Sequence, residues 1–320
     1  MINFISNYIL NKKFDNNMWL LLAFTYRRIL YFYMNSHKPE KRIKSHFNSI
    51  FGRKLDLKNP QFLNEKIQWL KLYDHKDYYT ICGDKYEVRN WLKQRFSSDY
   101  LIPLIFHTSN VNDVNPQKIT KYPCIIKANH SSKDYEILRS AESVNWESLR
   151  RKCRWWLKRD YYLESLEWQY KNIKRQIVVE ELLQTREGKI PNDYKLHYIN
   201  GELKFVYVSV DREGENCRNI YDSEWNPLYF DWSGTDKKAK SRRGREVPAP
   251  PSFEDMKKMG GIIAQEFPYV RIDYYDVDGK LFFGEITLHH GGGFDVFIPE
   301  EYDLFYGKML SLDNANGSQQ

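Results

Sequence analysis

Apolar residues recur in this chain with two spacings, and each marks a different kind of element. Residues 1–50 read as helical and carry no chemical motif; their longest apolar run is 18–26. Asn59-Pro60 opens a new unit. Asn64 stands where a cap belongs for a helix NEKIQWLKLYD (64–74), whose Ile67, Leu70 and Leu72 form an apolar side. A further helix is predicted over 84–96, with Val88, Trp91 and Leu92 at i, i+3 and i+4. The stretch 144–175 is basic, aromatic and helical, and Ser252 is placed to cap a helix reaching Glu266.

Strand-like runs alternate with these helices. Segments 122–128 and 177–183 are short and apolar enough for buried strands. Segments 195–199 and 203–210 flank Asn200-Gly201, and 270–275 and 280–287 flank Asp278-Gly279; both dipeptides are strong hairpin signals. NHSSKD (129–134) has loop composition, 231–251 is a loop rich in Gly, Pro and basic residues, and 289–293 reads as a flexible glycine-rich loop. The polar tail 313–320 reads as disordered. No internal repeat is visible.

The 320 residues suit two or three closely packed subdomains. With 42 % hydrophobic and 28 % charged residues, the composition supports a globular core and argues against an integral membrane protein. Arg27 and Arg28 close the N-terminal apolar run after nine residues, too short to span a bilayer, and no signal-peptide pattern surrounds it. That segment reads either as a helix packed on the main body or as an amphipathic helix over 18–34 resting on the inner face of a membrane. The net charge of +7 points to anionic ligands such as nucleotides, acidic glycans or a membrane surface, and no nucleic-acid-binding module is present. Cys82, Cys124, Cys153 and Cys217 contain no CxxC spacing, so no zinc site, redox pair or disulfide scaffold is indicated, and a reducing cytoplasm fits.

Four features that carry chemistry follow one another. Gly83-Asp84-Lys85 opens a helix, and Lys127 ends the apolar strand YPCIIKA ahead of a small polar loop, Asn129, His130, Ser131 and Ser132. VVEELL ends a strand on Glu180, Glu181 and Leu183, and Asp273 and Glu285 sit on adjacent hairpin strands. Two lysines can neutralise phosphate oxygens, and a small polar loop can offer them backbone N–H groups. An acidic strand end can meet an adenine edge, and two carboxylates suit Mg²⁺ bridging phosphates. Arg271, two residues before Asp273 and so on the same strand face, is placed to hold a transferred phosphoryl group or an acyl phosphate. Asp193 and Lys195 are candidate ribose or phosphate contacts, or a plain charge pair.

In this order the elements resemble the ATP-grasp superfamily, and more narrowly the TupA-like ATP-grasp family of bacterial surface-polysaccharide gene clusters. The resemblance rests on NPQFLNEKIQWLKLYD (59–74), GDKYEVR (83–89), YPCIIKANHSS (122–132), VVEELL (178–183), DYKLHYING (193–201) and VRIDYYDVDGKLFFGEIT (270–287), and runs from about residue 51 to the end. It implies an α+β fold holding ATP between two antiparallel sheets. The implied parts are the helical segment 1–50, an N-terminal subdomain 51–121, a nucleotide-binding subdomain 122–190 and a metal and phosphate subdomain 191–312. Lys85 and Lys127 correspond to the phosphate-binding lysines, Glu180, Glu181 and Leu183 to the adenine contacts, and Asp273 and Glu285 to ligands of Mg²⁺. Two positions depart from the family pattern. The loop usually reads Asn-His-Gly-Ser-Gly, whereas Ser131 and Lys133 replace both glycines here, which should stiffen it. Thr287 stands where the superfamily often has a metal-binding Asn.

The implied reaction is ATP-dependent joining of a carboxylate to an amine through an acyl phosphate. The expected partners are an acidic glycan or a nucleotide- or lipid-linked uronic acid, with an amino acid or amino alcohol as amine. A kinase on the same fold, a glycosyltransferase and a glycan-binding protein are the rivals. His289 and His290 read as part of a substrate loop or a plain turn, and KKAKSRRGR (237–245) as a solvated loop or a clamp for an acidic glycan. Trp155, Trp156 and Trp168 read as core residues before sugar-stacking platforms.

Overall fold

The computed structural model describes Leu10 and residues 12–210, 214–215, 217–235 and 243–312. The predicted tail 313–320 and most of the basic run 237–245 lie outside the described residues. Five helices come first: α1 (Asn17–Asn35), α2 (Pro39–Phe51), α3 (Leu63–Tyr73), α4 (Tyr79–Gly83) and α5 (Glu87–Lys93). Strands β1 (Leu104–Thr108), β2 (Cys124–Ala128) and β3 (Tyr135–Leu138), helices α6 (Trp146–Leu157) and α7 (Tyr161–Ser165) and strand β4 (Ile177–Glu181) follow. Then come β5 (Asp193–Ile199), β6 (Glu202–Val210), β7 (Cys217–Tyr221), β8 (Pro227–Leu228) and β9 (Asp231–Trp232). The chain closes on α8 (Phe253–Ala264), β10 (Tyr269–Val277), β11 (Lys280–Thr287), β12 (Phe297–Ile298) and α9 (Glu301–Met309).

Two antiparallel sheets organise the molecule, ordered β1-β4-β2-β3 and β11-β10-β5-β6-β7-β8, with β12 and β9 as a separate ribbon. Both predicted hairpins form. Asn200 and Gly201 have φ of 50° and 81°, and Asp278 and Gly279 have 52° and 91°, the left-handed pair that a two-residue turn matching strand twist needs.

Strand alternation separates the two faces of the larger sheet. Leu196, Tyr198, Val206, Val208, Ile272 and Tyr274 pack with Met256 and Ile263 of α8 in one core cluster. The opposite face carries Asp193, Lys195, Arg271, Asp273 and Glu285, so the charged residues gather on one surface by register alone. In the smaller sheet, Cys124, Ile126, Ile177 and Val179 pack with Leu149, Cys153 and Trp156 of α6 and with Leu20 and Ala23 of α1. Trp155 and Trp156 are buried, as expected of core residues, while Trp168 stacks on His75 with ring centroids 4.0 Å apart.

Several local expectations are corrected. Asn64 does not cap α3; the Glu65 carboxylate accepts from the Gln61 and Phe62 N–H groups at 2.9 and 3.2 Å. Asn64 is instead buried, its N–H donating to Asp303 at 2.8 Å and its amide to the Asp295 carbonyl at 3.0 Å. Asp84 closes α4 and then accepts from Tyr86 and Glu87 N–H, so 84–96 is a junction followed by a short helix. The stretch 144–175 is broken because Asp160 caps a new helix and Leu166 ends it with φ of 58°.

The 289–293 segment is not a flexible loop. His289 and His290 are buried, Gln68 donates to the carbonyls of Gly292 and Gly293 at 3.0 and 2.7 Å, and Lys71 donates to Gly292 at 2.8 Å. Strands β1 and β7 were not anticipated. Pairing of β1 with β4 also carries the smaller sheet back to Leu104, ahead of the expected boundary at 122.

Candidate active site

A cavity of about 510 Å³ lies between the two sheets. Ile125, Ile137, Leu183 and Ile190 make its apolar end, and Lys85, Lys127, Lys133 and Lys195 bring four cations to it. Each lysine is positioned by a different device. Lys85 follows Gly83, where a Cβ would fall 2.8 Å from the Gln169 side chain, so only glycine admits that approach. The Lys85 N–H donates to the Asn129 carbonyl at 3.1 Å and its Nζ to the Ser131 carbonyl at 2.7 Å. Burial pulls its ammonium below the usual lysine value, against the opposing pull of Glu285. Lys127, next to last in β2, meets Glu180 at 2.5 Å; Arg89 holds the other oxygen of Glu180 at 2.9 Å. Arg89 was missed from sequence because its partner lies 91 residues away.

The loop after β2 divides in two. Ser131, Ser132, Lys133 and Asp134 line the cavity, whereas Asn129 and His130 do not. Asn129 is a strut: its amide donates to Asp84 and to the Lys174 carbonyl, both at 2.9 Å, and its Oδ1 accepts from Gln176 N–H at 2.8 Å. His130 is buried against Asn129 and the Trp156 carbonyl, and burial lowers its imidazole to about 4. Asn129 and His130, expected to touch a nucleotide, lie off the cavity wall and anchor the loop whose next four residues line it. Lys133 has φ of 67°, a left-handed backbone that explains the glycine usual at this position.

Glu180, Glu181 and Leu183 all line this cavity. Glu181 is also ion-paired with Lys121. Asp193 and Lys195 pair with each other, yet Oδ1 of Asp193 is buried without a hydrogen-bond partner, a ready acceptor for a ligand hydroxyl.

At the cationic end, cross-strand register sets Asp273 opposite both Glu285 and Lys195. Arg271 donates to both oxygens of Asp273, at 2.6 and 2.7 Å, and to Glu285 at 2.9 Å. Lys195 reaches Asp273 at 3.0 Å. Burial alone would raise the Asp273 carboxyl, but Arg271 and Lys195 hold it below its ordinary value. Burial would likewise lower Lys195 and Arg271, and the neighbouring carboxylates keep both above theirs. Arg271 also donates to Nδ1 of His290 at 3.0 Å, which fixes that ring as neutral with its proton on Nε2, towards the Trp232 carbonyl at 3.3 Å. Burial, then Arg271, lower His290 to about 3.

The family profile of the TupA-like ATPgrasp proteins matches residues 65–311. The chain belongs to the TupA-like ATP-grasp family. Its two antiparallel sheets with a cavity between them are the ATP-grasp architecture, and five of the six motifs quoted from sequence place residues on the cavity wall, the exception being 59–74. No curated protein sequence matches this chain. Among solved structures, a D-alanine–D-alanine ligase from Bacillus anthracis complexed with ATP is 11 % identical, covers 65 % of this chain and 54 % of its own, and has a TM-score of 0.37. The corresponding ligase from Helicobacter pylori is 12 % identical, with 78 % and 69 % coverage and a TM-score of 0.40. The ATP-grasp ligase PsnB complexed with a minimal precursor is 12 % identical, with 71 % and 60 % coverage and a TM-score of 0.39. For two of these three, the match spans less than two thirds of the neighbour's own length.

The residues present fit the groups that a TupA-like ATP-grasp site implies. Among the described residues no three His, Cys, Asp or Glu side chains converge as a metal cage. Two carboxylates facing each other, with Thr287 opposite Arg271 in the next register position, suit Mg²⁺ that takes its remaining ligands from phosphate oxygens and water. Such an ion would offset phosphate charge; Asp273 and Glu285 would hold it, with Thr287 beside them.

A second cavity of about 820 Å³ adjoins the first. The two share Ser132, Lys133, Lys195 and Glu285 in their walls. Arg271, Thr287, His289 and His290 line only the second, together with Tyr161, Glu164 and Glu167 from the broken 144–175 stretch.

Proposed function

We propose that this chain is an ATP- and Mg²⁺-dependent carboxylate–amine ligase whose acceptor is the carboxylate of a uronic acid in a bacterial surface polysaccharide or its precursor. One observation supports this above the others: the second cavity meets the nucleotide cavity at Lys195 and Glu285, where the terminal phosphate of a bound ATP would lie. A carboxylate there attacks that phosphate to give an acyl phosphate and ADP. An amine then displaces phosphate and forms the amide. Lys85, Lys127, Lys195 and Arg271 offset the charge that spreads over the transferring oxygens.

The acceptor cavity suits an acidic sugar. Arg218 and Arg271 offer cations for a carboxylate, Tyr161 and Tyr207 offer ring faces, and Glu164, Glu167 and Asp295 offer acceptors for hydroxyl or ammonium groups. The amine is an amino acid or amino alcohol, and the reaction runs in the cytoplasm, at the inner face of the membrane where such glycans are assembled.

The reaction class is tested by supplying hydroxylamine in place of the amine, because it traps acyl phosphates as hydroxamates. A hydroxamate of the acidic sugar, formed only with ATP and absent in Lys127→Met, is the expected outcome. A stable phosphorylated sugar would make the protein a kinase, and sugar transfer without ATP a glycosyltransferase; either result overturns the ligase.

A further inference from the structure

Helix α1 has two faces of different character. Leu20, Ala23 and Arg27 are buried against the body, with the Arg27 guanidinium 3.1 Å over the Trp155 ring and donating to the Trp155 carbonyl at 2.9 Å. On the opposite side Met18, Leu21, Leu22, Ile29, Phe32 and Tyr33 are exposed, Phe32 by 80 %. Their spacing of 0, 3, 4, 11, 14 and 15 places all six on one stripe of the helix. They are half of the twelve large apolar side chains exposed among the described residues, so the stripe is a concentrated patch rather than scattered surface.

Charge is concentrated in the same segment. Residues 1–50 hold eight Lys or Arg and two Asp or Glu, which is +6 of the chain's +7. Arg28, Lys38 and Lys41 are among its exposed residues. No helix of the described residues is long and apolar enough to cross a membrane. An apolar stripe flanked by cations, on a helix too polar to span, is the pattern of a helix that lies in the interface of an anionic bilayer.

We propose that the exposed face of α1 docks on a membrane surface bearing anionic lipid headgroups, and that this docking orients the acceptor cavity. The connection to the cavity is a chain of hydrogen bonds. Tyr31 of α1 donates to Glu164 at 2.7 Å and accepts from the Asp160 N–H at 2.8 Å. Glu164 lines the acceptor cavity and takes Arg159 on its other oxygen at 2.6 and 2.8 Å. Arg159 reaches Asp134, in the loop that lines the nucleotide cavity, at 2.8 Å. The docked helix is thus bonded to a wall of the cavity that a lipid-linked acidic acceptor would enter. The docking itself holds whichever acceptor the enzyme uses.

The test sediments the full chain with vesicles of phosphatidylcholine alone or with about 30 % phosphatidylglycerol. Binding to the anionic vesicles only is expected, weakening by about tenfold or more in the triple variant Leu21→Gln, Ile29→Gln, Phe32→Gln, and again when salt is raised to about 0.5 M. All three side chains are exposed, so the variant should keep the wild-type melting temperature and its rise with ATP–Mg²⁺, which separates lost docking from lost folding. No binding by the wild type, or equal binding by the variant, overturns the proposal. A wild-type dimer that becomes a monomer in the variant would assign the stripe to a second copy and overturn it equally.

Discussion

Arg271 and Asp273, two residues apart on β10, grip each other at both ends, Nε to Oδ1 at 2.6 Å and the terminal nitrogen to Oδ2 at 2.7 Å. This pair sits where the candidate metal ligands lie, and it makes the two carboxylates unequal. Asp273 is buried and neutralises Arg271 and Lys195, whereas the Glu285 side chain is 38 % exposed. Asp273→Asn therefore leaves two buried cations short of a partner and should cost about 3 kcal/mol of stability as well as turnover. Glu285→Gln should cost less than about 1 kcal/mol and still lower turnover by roughly 10²-fold. Thermal unfolding with ADP release distinguishes the two; near-normal turnover in Glu285→Gln would remove that residue from the metal site.

Lys133 occupies a left-handed backbone with φ of 67° and lines both cavities. Lys133→Gly should keep stability within about 1 kcal/mol, because relief of strain offsets the flexibility that glycine adds to the unfolded chain. Lys133→Val, β-branched at the same φ, should be about 1–2 kcal/mol less stable than the glycine variant. Urea unfolding of the pair checks the backbone, and their ATP affinities, both lowered, check the charge.

The fold was legible in sequence wherever the signal is local. Asn200-Gly201 and Asp278-Gly279 announce their hairpins because only a few residues tolerate two positive φ values in succession, and β10 and β11 then bring Asp273 to Glu285 by register. What was not legible depends on contacts distant in sequence. Asn129 follows Lys127 closely and looks like part of the nucleotide loop; only its bonds to Asp84 and Gln176 reveal a strut. The glycines at 291–293 suggest freedom, yet Gln68 and Lys71, more than 220 residues earlier, fix their carbonyls. The Arg159–Asp134 ion pair joins a helix break to a loop, and neither side has a pattern of its own.

Lys71 should impose an alkaline signature on stability. It is buried, donates to the Gly292 carbonyl at 2.8 Å, and burial lowers its ammonium from 10.5 to about 8. Its folded value lies below the unfolded one, so between pH 8 and 10.5 the unfolded chain binds more protons and stability contributed at this site rises with pH. The stability of the wild type relative to Lys71→Met should therefore increase by about 2–3 kcal/mol across that window. Urea unfolding of both proteins at several pH values measures the difference; a flat difference would mean that the ammonium is not desolvated in the folded state.

Gly284 is the residue on which the aim of Glu285 depends. The register between β10 and β11 shifts between Asp273 and Tyr274, and Gly284 sits in the resulting bulge. A Cβ there would fall 2.9 Å from the Asp273 carbonyl oxygen and 3.2 Å from its carbon, backbone atoms that cannot yield without moving β10. Gly284→Ala should therefore push apart the two strands that present the carboxylates. The expected cost is about 1–3 kcal/mol of stability, with turnover falling by roughly 10²-fold because a shift of about an ångström at reacting groups is enough. Gly261→Ala is the matched control: it lies in α8 with no heavy atom within 4 Å of the added methyl, and helix propensity predicts a gain of about 0.5–1 kcal/mol with activity unchanged. Equal activity in the two alanine variants would show that the bulge does not set the position of Glu285.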